Sequence, residues 1–373
     1  MKELRDREVI HSLLKTIAQK TAALPTLPIR LMEVCGTHTM SIHRHGLRPL
    51  LLEAGVEMLS GPGCPVCITP DAYHEAAIKL VSSTPNIILA TFGDMTRVPT
   101  RLGSLQTVVP ASGSEVKIVY SPAESVTLAK ANPEKEVIFF GVGFETTIPG
   151  IALAVRQAWQ EKITNYSLLS ALWVIPPPLR AIVASRDVNL DGFLYPGHVS
   201  AIIGVKPYQF LAEEYGLPGA VTGFEPADIL LAIAAILDLI QKGQPAVLNE
   251  YRRVVRPEGN PLALKIMAEM LEEKDAFWRG LGYIPRSGLQ LKEKYQHLDA
   301  EKKFSLKIAP EETHFAGCRC GDVLKGKILP PECPLFGRTC QPDSPRGPCM
   351  VSFEGACLAF YKYGYTGEKI SFS

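Results

Sequence analysis

The chain has 373 residues, a formal net charge of +1, 46% hydrophobic and 21% charged residues, and nine cysteines. That near-neutral charge excludes a nucleic-acid-binding or membrane-surface protein, and the length predicts two or three domains with a sizeable core. The first twenty residues mix acids and bases without an apolar stretch, so no signal peptide is expected, and the longest clean apolar run, residues 229–237, is too short to span a bilayer. The reading is a cytoplasmic protein, with no nucleic acid and no membrane as partner. In that compartment nine thiols point to metal binding or redox work and not to a disulfide framework.

Residues 3–22 read as an amphipathic helix, with Val9, Ile10, Leu13, Leu14 and Ile17 at helical spacing. Strand material follows at 29–34 and runs into Cys-Gly-Thr-His, which holds Cys35 and His38. A second strand, 56–59, runs into Gly-Pro-Gly-Cys-Pro-Val-Cys, with Cys64 and Cys67 on a turn before a helix from Asp71. A third strand at 86–91 ends near Asp94, and a fourth spans 116–120. Strand, Gly-rich loop and helix in repetition predict a parallel α/β sheet, whose ligands bind at the carboxyl ends of strands. Cys35, Cys64, Cys67 and Asp94 fall on that rim.

The pattern then restarts. A strand at 137–140 leads into a turn with Glu145, a helix covers 148–160, and a strand at 168–175 is closed by three prolines. A strand at 192–195 leads to His198, a helix covers 208–215, a strand at 220–222 leads to Glu225, and an apolar helix covers 227–241. The expected fold class is α/β: two similar parallel-sheet α/β domains facing a cleft, plus a small Cys-rich iron–sulfur C-terminal domain. The expected boundaries are 1–135, 136–250 and 251–373. The turn Gly-Val-Gly-Phe-Glu-Thr lacks the third glycine of a dinucleotide fingerprint, and its acid would repel a pyrophosphate. Beyond residue 250 one helix and a loop with short extended pieces precede a tail dense in Cys, Pro and Gly, with too little apolar periodicity for a core of its own.

Two constellations carry chemistry. Cys320, Cys333, Cys340 and Cys357 are spaced C-x12-C-x6-C-x16-C, a four-thiolate set for an iron–sulfur cluster or a zinc ion. The absence of paired knuckles favours the cluster. Cys35, Cys64 and Cys67, with His38 nearby, suit a soft or borderline metal such as Fe(II), while Cys64 and Cys67 can instead form a reversible disulfide.

Taken together, MEVCGTHT, GPGCPVC, FGDMTRVP, FFGVGFETT, PGHVS, GFEP, YRRVV and the tail beginning RCGDV resemble the HypD family of [NiFe]-hydrogenase maturation factors over nearly the whole chain. The resemblance implies two α/β domains and a C-terminal [4Fe-4S] region. It implies work as a redox-active scaffold for the Fe(CN)2CO group, with a small HypC-type chaperone and a HypE-type cyanide donor as partners. Carried over, Cys35, Cys64 and Cys67 handle iron or electrons, and Cys320, Cys333, Cys340 and Cys357 hold the cluster. Cys318 and Cys349 fall outside that ligand pattern, with Cys318 the nearest substitute for Cys320. Glu145, His198 and Glu225 are expected to line the cleft with His38 and to position protons or ligands. The rival readings are an iron–sulfur protein-disulfide reductase and a zinc-stapled binding module.

Overall fold

The computed structural model describes residues 3–309 and 317–364. Its strands, in chain order, are β1 (Ile29–Glu33), β2 (Val56–Ser60), β3 (Ile87–Thr91), β4 (Glu115–Ile118), β5 (Glu136–Gly143), β6 (Tyr166–Trp173), β7 (Gly192–Pro196), β8 (Gly219–Thr222), β9 (Val247–Asn249), β10 (Leu271–Trp278) and β11 (Gly282–Leu291). They form two sheets. The first is parallel throughout, in the order β2-β1-β7-β8-β9. The second runs β10-β11-β6-β5-β3-β4, parallel from β4 to β6, with the β10–β11 hairpin added antiparallel.

Every residue of β3 and of β6 is buried, as a parallel strand covered by helices on both faces requires. The helices start where local chemistry predicts. Asp6 accepts from the backbone N–H groups of Glu8 and Val9 and opens the helix Arg7–Thr21, and Asn260 does the same for Pro261–Met270. The three prolines at 176–178 do not close the preceding strand into a loop. They occupy the first turn of the helix Pro176–Ser185, where no intrahelical N–H is needed.

Sheet membership does not follow the expected boundary between residues 135 and 136. After β2 the chain leaves to build β3, β4, β5 and β6 of the second sheet, then returns as β7 to the free side of β1. β1 is therefore the switch point of the first sheet, with β2 on one flank and β7 on the other, and the crevice beyond its carboxyl end is where such sheets bind ligands. One buried cluster contains Met32, Leu59 and Phe193 of the first sheet together with Leu89, Ile138 and Phe140 of the second, so the two sheets share a core.

Two further differences concern the C-terminal third. Residues 277–288, expected as a loop with short extended pieces, belong to a long hairpin spanning 271–291 whose turn uses Gly280 and Gly282 at φ +79. The Cys-rich tail is not a detached unit: Cys320, Leu324, Cys349 and Val351 belong to the shared core, and Cys333, Phe336, Cys340, Met350, Leu358 and Phe360 form a smaller cluster beside it. No helix among the described residues is long and apolar enough to cross a membrane.

Candidate functional site

Cys35 stands two residues beyond β1 and opens the helix Gly36–Arg44. Its backbone N–H donates to Glu33 Oε2 at 3.0 Å, and the hydroxyl of Thr39 donates to the other oxygen of the same carboxyl. Burial raises Glu33 to about 8. Burial, followed by the charge of Glu354, raises the Cys35 thiol to about 12. At neutral pH Cys35 is thus a protonated, buried thiol, which becomes a strong ligand only when a cation replaces its proton.

Cys64 opens the short helix Pro65–Ile68, and its Sγ accepts from the Cys67 N–H at 3.2 Å. The two cysteines are joined as a disulfide with their Cα atoms 5.2 Å apart. This turn locks against the Cys35 turn. Gly36 N–H donates to Gly63 O at 3.1 Å, and a Cβ on Gly63 would stand 2.3 Å from Cys35 N. Only glycine permits that approach. β1 and β2 lie in parallel register with Glu33 opposite Ser60, so both turns leave the sheet at the same level.

His38 is fully buried, its Nε2 lies 2.9 Å from Gly223 O, and its Nδ1 has no hydrogen-bond partner. Burial lowers it to about 4, so the ring is neutral. His38 lies 4.7 Å from the Phe224 ring, and His198 stacks on the same ring at 4.0 Å. The structure thus brings His38 and His198 together around Phe224, at the ends of β7 and β8.

The acids are placed differently. Glu225 opens the helix Pro226–Lys242 and is bonded to Arg5, whose Nη2 donates to Oε1 at 2.8 Å. That bond holds its carboxyl below the usual range. Glu225 is committed to a cap and a surface ion pair. Glu145 follows β5 in the second sheet; its Oε1 accepts from Ile175 N–H at 2.9 Å, its Oε2 has no partner, and burial raises it to about 7. Asp94 follows β3, and its Oδ2 accepts from the backbone N–H of Phe353 at 3.3 Å.

All six tail cysteines, Cys318, Cys320, Cys333, Cys340, Cys349 and Cys357, line one small pocket. Val323, Leu335, Phe336 and Met350 supply its apolar wall. Arg346 N–H donates to Cys340 Sγ at 3.3 Å, and Cys320 Sγ lies 2.7 Å from Cys349 Sγ. Contacts from Cys318 and then Cys349 hold the Cys320 thiol well below its usual range, whereas contacts from Cys320 and then Cys357 drive Cys349 well above it. Among the described residues, no three His, Cys, Asp or Glu side chains converge tightly enough to hold a single metal ion. The thiols ring a cavity and do not meet at a point. A donor set of sulfur alone, in an apolar wall with a backbone N–H on one sulfur, is the chemistry that suits a polynuclear iron–sulfur group.

Comparison with known proteins bears directly on this arrangement. The HypD family model, described as the hydrogenase formation hypA family, matches residues 8–364. The chain belongs to the HypD family. It is 43% identical over 372 residues to the hydrogenase maturation factor HypD of Rhodobacter capsulatus, covering 97% of each chain. It is 41% identical over 366 residues to that of Escherichia coli K12, again covering 97% of each. The counterpart from Rhizobium leguminosarum bv. viciae is 42% identical over 368 residues, with 96% of this chain and 95% of that one covered.

In this HypD-family chain, the Cys35 turn, the Cys64–Cys67 turn, His198 and Glu225 all follow strands of the first sheet, and Asp94 and Glu145 follow strands of the second. Sequence reasoning missed Glu354. Its Oε1 accepts from Thr37 Oγ1 at 3.1 Å, and its Cβ would be 2.2 Å from a Cβ on Gly36. It also missed Glu33, read only as a strand residue, and Arg279, which is buried beside the Cys64–Cys67 turn. An acid next to glycine in Phe-Glu-Gly-Ala-Cys, within a tail otherwise read for its thiols, was the available signal for Glu354.

Proposed function

We propose that this HypD-family chain is a redox-active scaffold on which the Fe(CN)2CO group of [NiFe]-hydrogenase is assembled. The observation that carries the reading is the interlocking of the Cys35 and Cys64–Cys67 turns through the Gly63 contact at the switch point of the first sheet. Three buried cysteines from two strand ends are thereby carried on adjoining turns. Iron is the cargo of this site. Opening the Cys64–Cys67 bond takes two electrons and two protons and frees two thiols. With Cys35 these supply three thiolates, whose electron density suits an iron that is to carry cyanide and carbon monoxide. A small HypC-type chaperone contributes a further ligand, and a HypE-type partner delivers cyanide. Neutral His38 and His198, which both pack on Phe224, hold or move protons in this reading.

Cys320, Cys333, Cys340 and Cys357 hold the resident [4Fe-4S] cluster in this reading, since they line the sulfur-rich pocket. Bound there, the cluster supplies electrons singly, drawn from a low-potential one-electron donor protein. The chain's own contribution is to keep the pocket apolar and to bring it to the disulfide through the shared core.

The test is iron retention at the Cys35 surface. Anaerobically purified protein with its chaperone is expected to carry iron beyond four per chain, and the Cys35→Ser variant is expected to lose that excess alone. Equal iron in both would remove Cys35 from the site. The disulfide-reductase reading needs only Cys64 and Cys67 and predicts no effect of Cys35→Ser on iron.

A further inference from the structure

The turn of the β10–β11 hairpin is wedged between the two sulfur sites. Arg279 N–H donates to Ile68 O at 2.8 Å, at the end of the Cys64–Cys67 helical turn. Arg279 Nη2 donates to Thr69 O at 2.8 Å and also to the Asp71 carboxylate. The next residue, Gly280, abuts Gly321, the neighbour of Cys320: a Cβ on Gly280 would stand 2.4 Å from Gly321 Cα. One short segment therefore touches the disulfide turn with one residue and the start of the Cys320 helix with the next.

Arg279 is itself 6% exposed, and its Nε has no hydrogen-bond partner among the described residues. An unpartnered buried donor on a guanidinium is costly and marks a place where an acceptor belongs. Burial, the largest influence, opposes its charge, but the Asp71 carboxylate together with Cys320 and Cys349 holds the guanidinium above its usual range. Hydrogen bonds to sulfur and the net charge nearby set the reduction potential of an iron–sulfur group.

We propose that Arg279 is a positioning residue that couples the thiol pocket to the Cys64–Cys67 turn, pinning the turn through Thr69 and holding a fixed positive charge next to the Gly280–Gly321 contact at the start of the Cys320 helix. The charge half of this inference rests on the pocket holding an iron–sulfur cluster. The pinning half does not.

The test uses the full chain in two states. Asp71→Asn with Arg279→Gln removes the ion pair that pins the turn without leaving a buried carboxylate uncompensated, Arg279→Gln alone removes the positive charge, and Arg279→Lys keeps the charge but not the planar fork. In metal-free protein, the Cys64–Cys67 equilibrium is read by alkylation against dithiothreitol buffers. The double variant is expected to favour the dithiol at least threefold, because a loosened turn no longer holds the two thiols together. Should it not fold, Arg279→Lys is expected to shift the same equilibrium in the same direction. An unchanged equilibrium in a folded variant overturns the proposal. In cluster-loaded protein, dithionite titration reads the reduced fraction at fixed poise. At equal iron and sulfide content, Arg279→Gln alone is expected to lower the reduced-to-oxidised ratio about tenfold, which for one electron is about 59 mV, while Arg279→Lys stays within twofold of the parent. Equal shifts in both variants would overturn the charge role. A parent with no iron or sulfide would refute the cluster reading together with the charge role built on it, leaving the alkylation result to decide the pinning.

Discussion

Glu354 of the Cys-rich tail rests on Gly36, the residue that follows Cys35: a Cβ added to Gly36 would meet the Glu354 Cβ at 2.2 Å. The contact joins the thiol pocket's segment to the Cys35 turn, and Thr37 seals it by donating to the Glu354 carboxyl. Gly36→Ala is therefore expected to push the tail off the first sheet. Limited proteolysis should show faster cleavage of the tail, and the unfolding free energy should fall by about 1–3 kcal/mol, the usual scale for overpacking. Parent-like resistance to protease would show that the tail is anchored elsewhere.

The thiol pocket gives a second prediction. Cys333→Ala, Cys340→Ala and Cys357→Ala are each expected to remove most of the bound iron and sulfide. Six sulfurs line the pocket and four suffice, so Cys318→Ala and Cys349→Ala are each expected to retain it. The 2.7 Å approach of Cys349 to Cys320 makes Cys349 the alternative ligand that spacing alone did not single out. Iron and sulfide assays on all five variants check this, and parent-like content in the first three would remove the assignment.

Cys35 supplies a third. A buried thiol raised to about 12 is almost entirely protonated at pH 8, and an unfolded cysteine is much less so. Native, metal-free protein should therefore alkylate at Cys35 at least tenfold more slowly than denatured protein. Equal rates, read by mass spectrometry, would mean that the thiol is more exposed and more acidic than its setting implies.

Glu145 supplies a pH dependence. Its folded carboxyl is raised to about 7 from the ordinary 4.5, so the folded state holds the proton more tightly. Its contribution is full below about pH 4.5 and is lost as pH rises through 7. His74 acts in the opposite sense: lowered to about 3 by burial, it costs stability as pH falls below about 6.5. Glu145→Gln keeps an acceptor for Ile175 N–H and removes the first effect. Between pH 6.5 and 8 the variant's unfolding free energy should fall less than the parent's, by roughly 0.8 kcal/mol, the part of a slope of about 1.4 kcal/mol per unit that remains once Glu145 is already half titrated near 7. Parallel profiles from chemical denaturation would contradict this.

The first sheet's rim was legible because its turns carry their own marks: β1 and β2 are short apolar runs that end in glycine and cysteine, and Gly63 is needed where the two turns touch. The helices at 148–160 and 226–242 were legible from periodicity. Sheet membership was not, because β7 has the same apolar composition whether it pairs with β6 or crosses back to β1. The β10–β11 hairpin hid behind Pro285 and Arg286, which lie where its register shifts, with Arg286 at φ +53; that irregularity breaks the alternation that announces a strand. Glu225 read as a cleft-lining acid because sequence gives no sign of Arg5, 220 residues away, as its partner.

Infrared spectroscopy of the anaerobically purified protein with its chaperone tests the scaffold directly. Bound cyanide and carbon monoxide absorb where protein does not. The account predicts both sets of bands in the complex, and their loss in Cys35→Ser with the iron and sulfide of the tail intact. A complex that carries tail iron but shows neither band, or a Cys35→Ser complex with bands at full strength, would contradict the assignment of the Cys35 and Cys64–Cys67 turns as the assembly surface.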